Sequence, residues 1–388
     1  MAKKKKKRRV KIKKAPIILV IILLIIIGLF IHFNSKTYLF TKAYNKSINM
    51  KLESYKESKS KYFPYADGKY LLETNTIFNY NEEKETINGK IYVDGSNNYF
   101  DLDIKQNEDE MKFSIINKDN KSYYKIKDEF YYINNPASEE ISEKKVKDII
   151  SSYFKKYIKK GSISKKKVTI NYDKAYKTKK YTLKLSNKDF YNYLLDILND
   201  KKISKAFDTK KYIKKIEELK KKEKTIRNSF EYSIYLYKDT PILEEYVFGK
   251  DKSSISIFNK DEYKHIKFNN KDSKKESYII IKNNKIDLFI NDYMYGKGTI
   301  TDNTIDITFT DYDKKEIGNL SYKIENDNNY YNIIFKMNTN LDSLKLNIDV
   351  NNKIDTSKSI PSLDLKNAKS ITSASSEDLE MFKELLTN

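Results

Sequence analysis

The chain has 388 residues and a net charge of +22, with 76 Lys and Arg against 54 Asp and Glu. It contains no cysteine, which excludes disulfides, thiolate metal sites, cysteine nucleophiles and a lipid-modified cysteine anchor. Its only histidines, His32 and His265, leave little material for imidazole-based metal or acid–base chemistry.

Ten of the first fourteen residues are Lys or Arg, and removing them leaves +12 spread along the rest. The chain is rich throughout in Lys, Asn, Ile and Tyr, residues with A/T-rich codons. Net charge therefore does not by itself point to an acidic partner.

The basic tail, residues 1–14, meets the apolar run "APIILVIILLIIIGLFIHF" at 15–33. As a helix, Pro16 to Phe33 spans roughly 27 Å, enough for a thin hydrocarbon core. Pro16 suits a first helical turn, where its missing N–H is not needed. The charge asymmetry predicts a cytoplasmic N-terminus and an extracytoplasmic remainder on the plasma membrane. No small-x-small cleavage site follows, so a retained single-pass anchor is expected rather than a cleaved signal. A nucleic-acid role for the tail is set aside, because beside an apolar span its lysines serve topology and anionic lipid.

Leu39, Phe40, Ala43, Tyr44, Ile48 and Leu52 fall at helical spacing and predict an amphipathic stalk helix within 34–63. From Lys69 the period becomes two. The runs "KYLLETNTIFNY", "INGKIYVDG", "YFDLDI", "MKFSII" and "SYYKIKDEFYYI" predict a first β-meander, with Asn88-Gly89 and Asp94-Gly95 read as hairpin turns. Val146, Ile149, Ile150, Tyr153, Phe154, Tyr157 and Ile158 predict a helix, with Gly161 expected at C′. Two strands around Val168–Tyr172 and Tyr181–Leu185 follow.

Ser186 and Asp189 have capping-box spacing before a stripe of Phe190, Tyr193, Leu194, Ile197 and Leu198. A Lys-rich helix over about 204–225, with Tyr212, Ile216 and Leu219 inward, is the expected joint between two halves, 64–200 and 228–388, of one 64–388 ectodomain. The β pattern then resumes to about Ile354, including "NSFEYSIYLY", "TIDITFT" and "LKLNIDV". Ser375 and Asp378 predict a short terminal helix. The fold class expected is α+β: an N-terminal transmembrane helix, then antiparallel meanders forming a curved sheet with packed helices.

The sequence carries no recognisable chemistry. His265 sits in strand-like "DEYKHIKFNN" with no second imidazole to partner it, and no G-x-S-x-G elbow occurs. Glu108-Asp109-Glu110 and Asp311/Asp313 read as solvated turns rather than an acid/base pair or cation site. No P-loop, G-x-G-x-x-G or calcium-loop pattern is present. Catalytic, cofactor-binding and metal-binding residues are accordingly all expected to be none, with no cofactor. "SYYKIKDEFYYI" mixes aromatics with lysines as nucleic-acid sheets do, but that is the composition of the whole chain. The doubly apolar strands 277–283 and 330–337, with Phe289, Tyr293 and Met294 nearby, read first as ordinary core and in the alternative as the lining of an apolar groove.

"KKYTLKLSNKDFYNYLLDILND" and "IPSLDLKNAKSITSASSEDLEMFKELL", together with the basic tail and anchor, resemble uncharacterised single-pass envelope proteins of Gram-positive bacteria. Through them the chain is distantly similar to carrier-like lipoproteins of the LolA and LppX type. The resemblance implies a curved antiparallel sheet over an apolar cavity, although a helix replaces the lipidated cysteine. It brings no functional residue with it.

Three functions are expected in decreasing order. The first is a membrane-anchored, non-enzymatic module for an apolar or cell-wall-associated ligand. The second is an envelope assembly component binding another protein, and the third an envelope-modifying enzyme. The expected partners are the bilayer through 15–33 and a lipid, lipoprotein or cell-wall ligand, with no nucleic acid.

Overall fold

The computed structural model describes residues 35–387, apart from 63–67, 82, 96, 108, 136–140, 223–228, 250–252, 270–275, 291–293 and 342–343. The expected transmembrane helix at 15–33 lies outside the described residues. Among the described residues no helix is long and apolar enough to cross a membrane.

The chain opens with helix α1 (Lys36–Tyr62) and a six-stranded meander: β1 (Lys69–Tyr80), β2 (Glu83–Asp94), β3 (Asn97–Gln106), β4 (Asp109–Lys118), β5 (Lys121–Ile126) and β6 (Glu129–Asn134). Helix α2 (Glu143–Ile158) leads to β7 (Ser162–Asn171) and β8 (Ala175–Ser186). Three helices follow: α3 (Asn187–Leu198), α4 (Lys201–Ala206) and α5 (Lys210–Lys222).

Eleven successive strands come next: β9 (Ser229–Tyr237), β10 (Thr240–Phe248), β11 (Ser253–Lys260), β12 (Tyr263–Asn269), β13 (Ser277–Lys282), β14 (Lys285–Ile290), β15 (Met294–Ile300), β16 (Thr304–Thr310), β17 (Glu316–Asp327), β18 (Tyr330–Leu341) and β19 (Leu344–Asp355). A two-residue strand β20 (Lys369–Ser370) and helix α6 (Ser376–Thr387) close it.

The twenty strands form one sheet. From one edge the order is β20-β6-β5-β4-β3-β2-β1-β19, then β18 down to β7 in reverse chain order. Only the β20–β6 pair is parallel. β19 returns to β1 over ten paired positions, Leu71↔Asp355 to Tyr80↔Leu346, so both meanders belong to one ladder. β8 likewise pairs directly with β9, which places α3, α4 and α5 between two hydrogen-bonded neighbours. The architecture is α+β with a mostly antiparallel sheet, as the alternation predicts.

Register explains the layering. Tyr232 and Ile234 face the helices, and Ile234 stands opposite Glu244, which stands opposite Ile257. From Ile257 the same face runs through Ile266, Ile279, Leu288, Gly296 and Phe309. Two residues along, it continues through Ile307, Leu320, Met337, Ile348 and Phe78. One face of the sheet is thus apolar across most of its width. The helices gather on β7–β10, while α6 rests on β5.

Several turns depend on left-handed backbone. Asp119-Asn120, Lys238-Asp239 and Asn283-Asn284 all have positive φ, the signature of tight two-residue hairpins. Gly95 at φ +61 fills the expected Asp94-Gly95 turn.

Three local expectations need correction. Asn88-Gly89 is no turn but lies inside β2, between Asn75-Thr74 and Leu102-Asp103. A Cβ at Gly89 would lie 2.2 Å from the Asp101 carbonyl oxygen, so close strand approach selects glycine there. Gly161 is not the C′ residue, because α2 already ends at the C-cap Lys159. Its value is also close approach: a Cβ would meet Leu183 Cδ1 at 2.6 Å. The Lys-rich helix is interrupted at 207–209, where Asp208 Oδ1 accepts from the Lys210 N–H at 3.2 Å and starts α5 anew. Its inward face is Ile213 and Ile216, and Tyr212 is 60% exposed.

The Ser186 cap forms as expected, accepting from the Asp189 N–H at 3.1 Å.

Candidate functional site

Helix α1 is clamped to the sheet by its buried stripe. Phe40, Ala43 and Tyr44 join Phe154, Tyr157 and Ile158 of α2 and Leu183, Tyr232 and Ile234 of the sheet in the largest apolar cluster. The Tyr44 and Phe154 ring centroids are 4.1 Å apart. Phe40 meets Tyr232 edge-on at 5.9 Å.

A buried carboxylate locks the same helix. Glu244 on β10 accepts from Ser47 Oγ, from Lys51 Nζ at 2.7 Å, from Tyr232 OH at 2.7 Å and from Tyr246 OH at 2.5 Å. Burial alone pushes this carboxyl up. The Lys51 charge and the hydrogen bonds from Lys51, Ser47 and Tyr246 outweigh it and hold Glu244 below its usual range. The same burial and the neighbouring carboxylate raise Tyr232 and Tyr246 far above the ordinary phenol value. Four donors saturate an ionised carboxylate, so Glu244 is equipped as a structural clasp rather than a proton donor.

Two clefts flank α1 beyond this clasp. α1 and α2 run in opposite directions: Phe154 stacks near Tyr44, while Lys147 Nζ reaches Asn49 Oδ1 at 2.7 Å. Past that contact the helices flank an open cleft of about 490 Å³ walled by Ile48, Leu52, Val146, Ile150 and Phe207. Lys51 and Lys147 stand on its wall, and Tyr55 and Phe207 are each 53% exposed at its edge. The second cleft, about 590 Å³, lies between α1 and β10–β12 and is more polar, with Lys51, Glu53, Glu57 and Lys264 among its lining residues.

The apolar cleft is the better ligand site on chemical grounds. It is a concave apolar surface with a small number of cations, which suits an amphipathic ligand with an acidic head. It needs no new stripe in the sequence. Ile48, Leu52, Val146 and Ile150 belong to the α1 and α2 stripes legible in the sequence and line the cleft, Ile48 also packing on the main cluster. Phe207 was not foreseen, because it sits in the break between α4 and α5 where a continuous helix was expected.

The strands expected to line an apolar groove do not come together. β13 and β18 are separated by β14–β17, roughly 24 Å along the sheet, so they do not form one pocket. Phe289 and Met294 fall on opposite faces. Phe289 stacks among Tyr278 and Tyr295, whereas Met294 joins the Leu288–Ile307–Phe309 cluster. Tyr293 lies outside the described residues.

His265 is 8% exposed and caged by aromatics, meeting Tyr172 edge-on at 5.5 Å and Tyr278 at 6.1 Å. Its Nδ1 is 3.4 Å from Tyr263 OH, and its buried Nε2 has no hydrogen-bond partner. Burial, reinforced by Lys267, brings its pKa down to about 4, so the ring is neutral at physiological pH. Among the described residues no serine or carboxylate hydrogen-bonds it.

The acidic segments are turn and strand elements. Asp311 Oδ1 accepts from the N–H groups of Asp313 and Lys315, both at 2.9 Å. Glu110 pairs with Lys112 at 2.8 Å and Lys105 at 3.5 Å on an exposed strand surface. Glu108 lies outside the described residues. Among the described residues no group of three or more His, Asp or Glu is arranged to hold a metal ion.

No family model and no curated protein sequence matches this chain.

Proposed function

We propose that this protein is a membrane-tethered, extracytoplasmic binding module that holds an apolar, acidic-headed ligand of the fatty-acid or lipid type in the cleft between α1 and α2. The cleft itself is the observation that supports this reading: about 490 Å³ of apolar wall with Lys147, which donates to the neutral Asn49, as the cation for an anionic head, Lys51 being committed to Glu244. The apolar run at 15–33 supplies the tether and the basic tail its orientation. α1 follows that run directly, so the ligand site is built on the element nearest the anchor. The reading is non-enzymatic, because Glu244 already accepts from four donors and His265, buried and neutral, has only the Tyr263 hydroxyl beside it.

The envelope-assembly alternative through strand addition is less well supported. The β7 edge carries three consecutive exposed lysines, Lys165, Lys166 and Lys167, which oppose pairing with another chain. The opposite edge is partly occupied by β20.

Photo-crosslinking with a diazirine-bearing palmitate on the full-length chain tests the proposal. Peptides containing Val146, Ile150 or Phe207 are expected to carry the label, and Val146→Glu is expected to remove it. Label confined to 15–33 overturns the cleft assignment.

A further inference from the structure

We propose that the sheet face opposite the helices carries a second, independent site, between β15 and β16, that binds an acidic glycan. Its pocket of about 450 Å³ is lined by Tyr295, Lys297, Thr308, Thr310, Tyr312 and Lys314. Register builds it. Tyr295 stands opposite Thr310 and Lys297 opposite Thr308, so strand alternation aims all four side chains the same way. The intervening Ile307 and Phe309 turn to the apolar cluster on the other face.

The aromatic wall is braced from the side, by the cross-strand partner of Tyr295. Tyr295 and Tyr312 meet edge-on with centroids 5.6 Å apart. Phe289, buried to 3%, lies 4.7 Å from Tyr295 and 6.2 Å from Tyr312. Tyr312 remains 43% exposed. A pyranose presents an apolar C–H face that packs on such rings and a rim of hydroxyls that seek hydrogen bonds.

The polar half of the pocket is unengaged. Among the described residues, Lys297 and Lys314 form no side-chain ion pair, and the Thr308 and Thr310 hydroxyls make no hydrogen bond within the chain. Asp287 lies opposite Lys297 on β14 yet forms no ion pair with it. Elsewhere on this face polar side chains pair across strands: Lys336 with Asp349 at 3.4 Å, Lys90 with Glu73 at 3.4 Å, and Asn338 with Asn319 at 2.9 Å. Two uncommitted cations beside two free hydroxyls and an aromatic wall match a sugar ring carrying carboxylate or phosphate. Among the described residues no carboxylate lines the pocket, although Asp287 stands across the strand from Lys297.

The full chain offers a clean reporter because it contains no tryptophan. With Tyr312→Trp, a hyaluronan hexasaccharide is expected to give a saturable emission change. Calorimetry on the unsubstituted chain checks that the reporter did not create the binding. Lys297→Gln and Tyr295→Ala should each weaken binding about tenfold, the loss of one charge-assisted contact or one stacking wall. The Lys297→Gln melt should match the parent, since that side chain is exposed, whereas Tyr295→Ala also loses its packing on Phe289 and should melt lower. Neutral chitohexaose should bind at least tenfold more weakly, and inorganic phosphate should not compete. Val146→Glu, in the helix cleft, should leave this binding unchanged. Absence of saturable hyaluronan binding, equal binding of chitohexaose, or full competition by phosphate overturns the proposal.

Discussion

Lys51 of α1 reaches Glu244 of β10 at 2.7 Å, across 193 residues of sequence, and joins the stalk helix to the sheet through a buried charge. Lys51 is 44% exposed while Glu244 is 8% exposed, so the pair is half in solvent at one end only. Removing the lysine leaves a buried carboxylate held by neutral donors. Lys51→Met is therefore expected to cost about 2 kcal/mol in urea unfolding, below the value for a wholly buried pair because solvent screens Lys51. Glu244→Gln with Lys51→Met together should cost less than the sum of the singles. Strict additivity would dissolve the clasp.

Acid should unfold the protein in two windows. His265 has a folded pKa of about 4 against an ordinary 6.5, because its burial disfavours the charged ring. The unfolded chain thus binds an extra proton between those values, and stability falls as pH drops from 6.5 towards 4. Glu244 is lowered relative to 4.5, so its contribution is present above that value and is lost as pH falls through its folded pKa. His265→Phe should flatten the urea midpoint in the upper window only, and Lys51→Met should reduce the slope in the lower one. An unchanged profile in His265→Phe would show that another group titrates there.

Gly89→Ala tests the close approach of β2 to β3. The added Cβ would sit 2.2 Å from the Asp101 carbonyl oxygen, a contact that neither strand relieves without shifting. A loss of about 3 kcal/mol is expected, read from thermal or urea unfolding. The same change at Gly95, whose Cβ meets nothing within 4 Å, should cost only the strain of φ +61, about 1 kcal/mol.

The lysines of β7 should act as edge guards. Replacing Lys165, Lys166 and Lys167 with threonine leaves the β7–β8 ladder intact but removes the charges from a free edge. Concentration-dependent association in sedimentation velocity is the expected result. A strictly monodisperse triple variant would mean that another feature protects this edge.

The absence of cysteine makes the proposed topology directly testable. A single cysteine introduced at Lys5 should resist a membrane-impermeant maleimide in intact cells, whereas one at Tyr212, 60% exposed on α5, should react. The reverse pattern would invert the orientation argued from the basic tail.

Periodicity determined most of the elements. The alternation of Phe230, Tyr232 and Ile234, or of Ile305, Ile307 and Phe309, is a local property, and each run became a strand with those residues on the apolar face. The stripes of α1 and α2 were legible for the same reason, as was the Ser186 cap. What local pattern does not carry is pairing. Nothing in "LKLNIDV" specifies β1 as its neighbour, nor in Glu244 that Ser47 and Lys51 would converge on it. Gly89 read as a turn because Asn-Gly is a turn signal. It is a strand residue because Asp101 passes too close for any side chain, a constraint set by a neighbour on another strand. Both candidate sites arise the same way. The helix cleft exists because α1 and α2 dock antiparallel with Phe207 beside them, and the aromatic pocket because register brings Tyr295 to Thr310 and Lys297 to Thr308. The sequence by itself determined which residues turn inward. Only the tertiary structure decided what they turn toward, because strand order and helix docking are long-range choices that the period of a single segment does not encode.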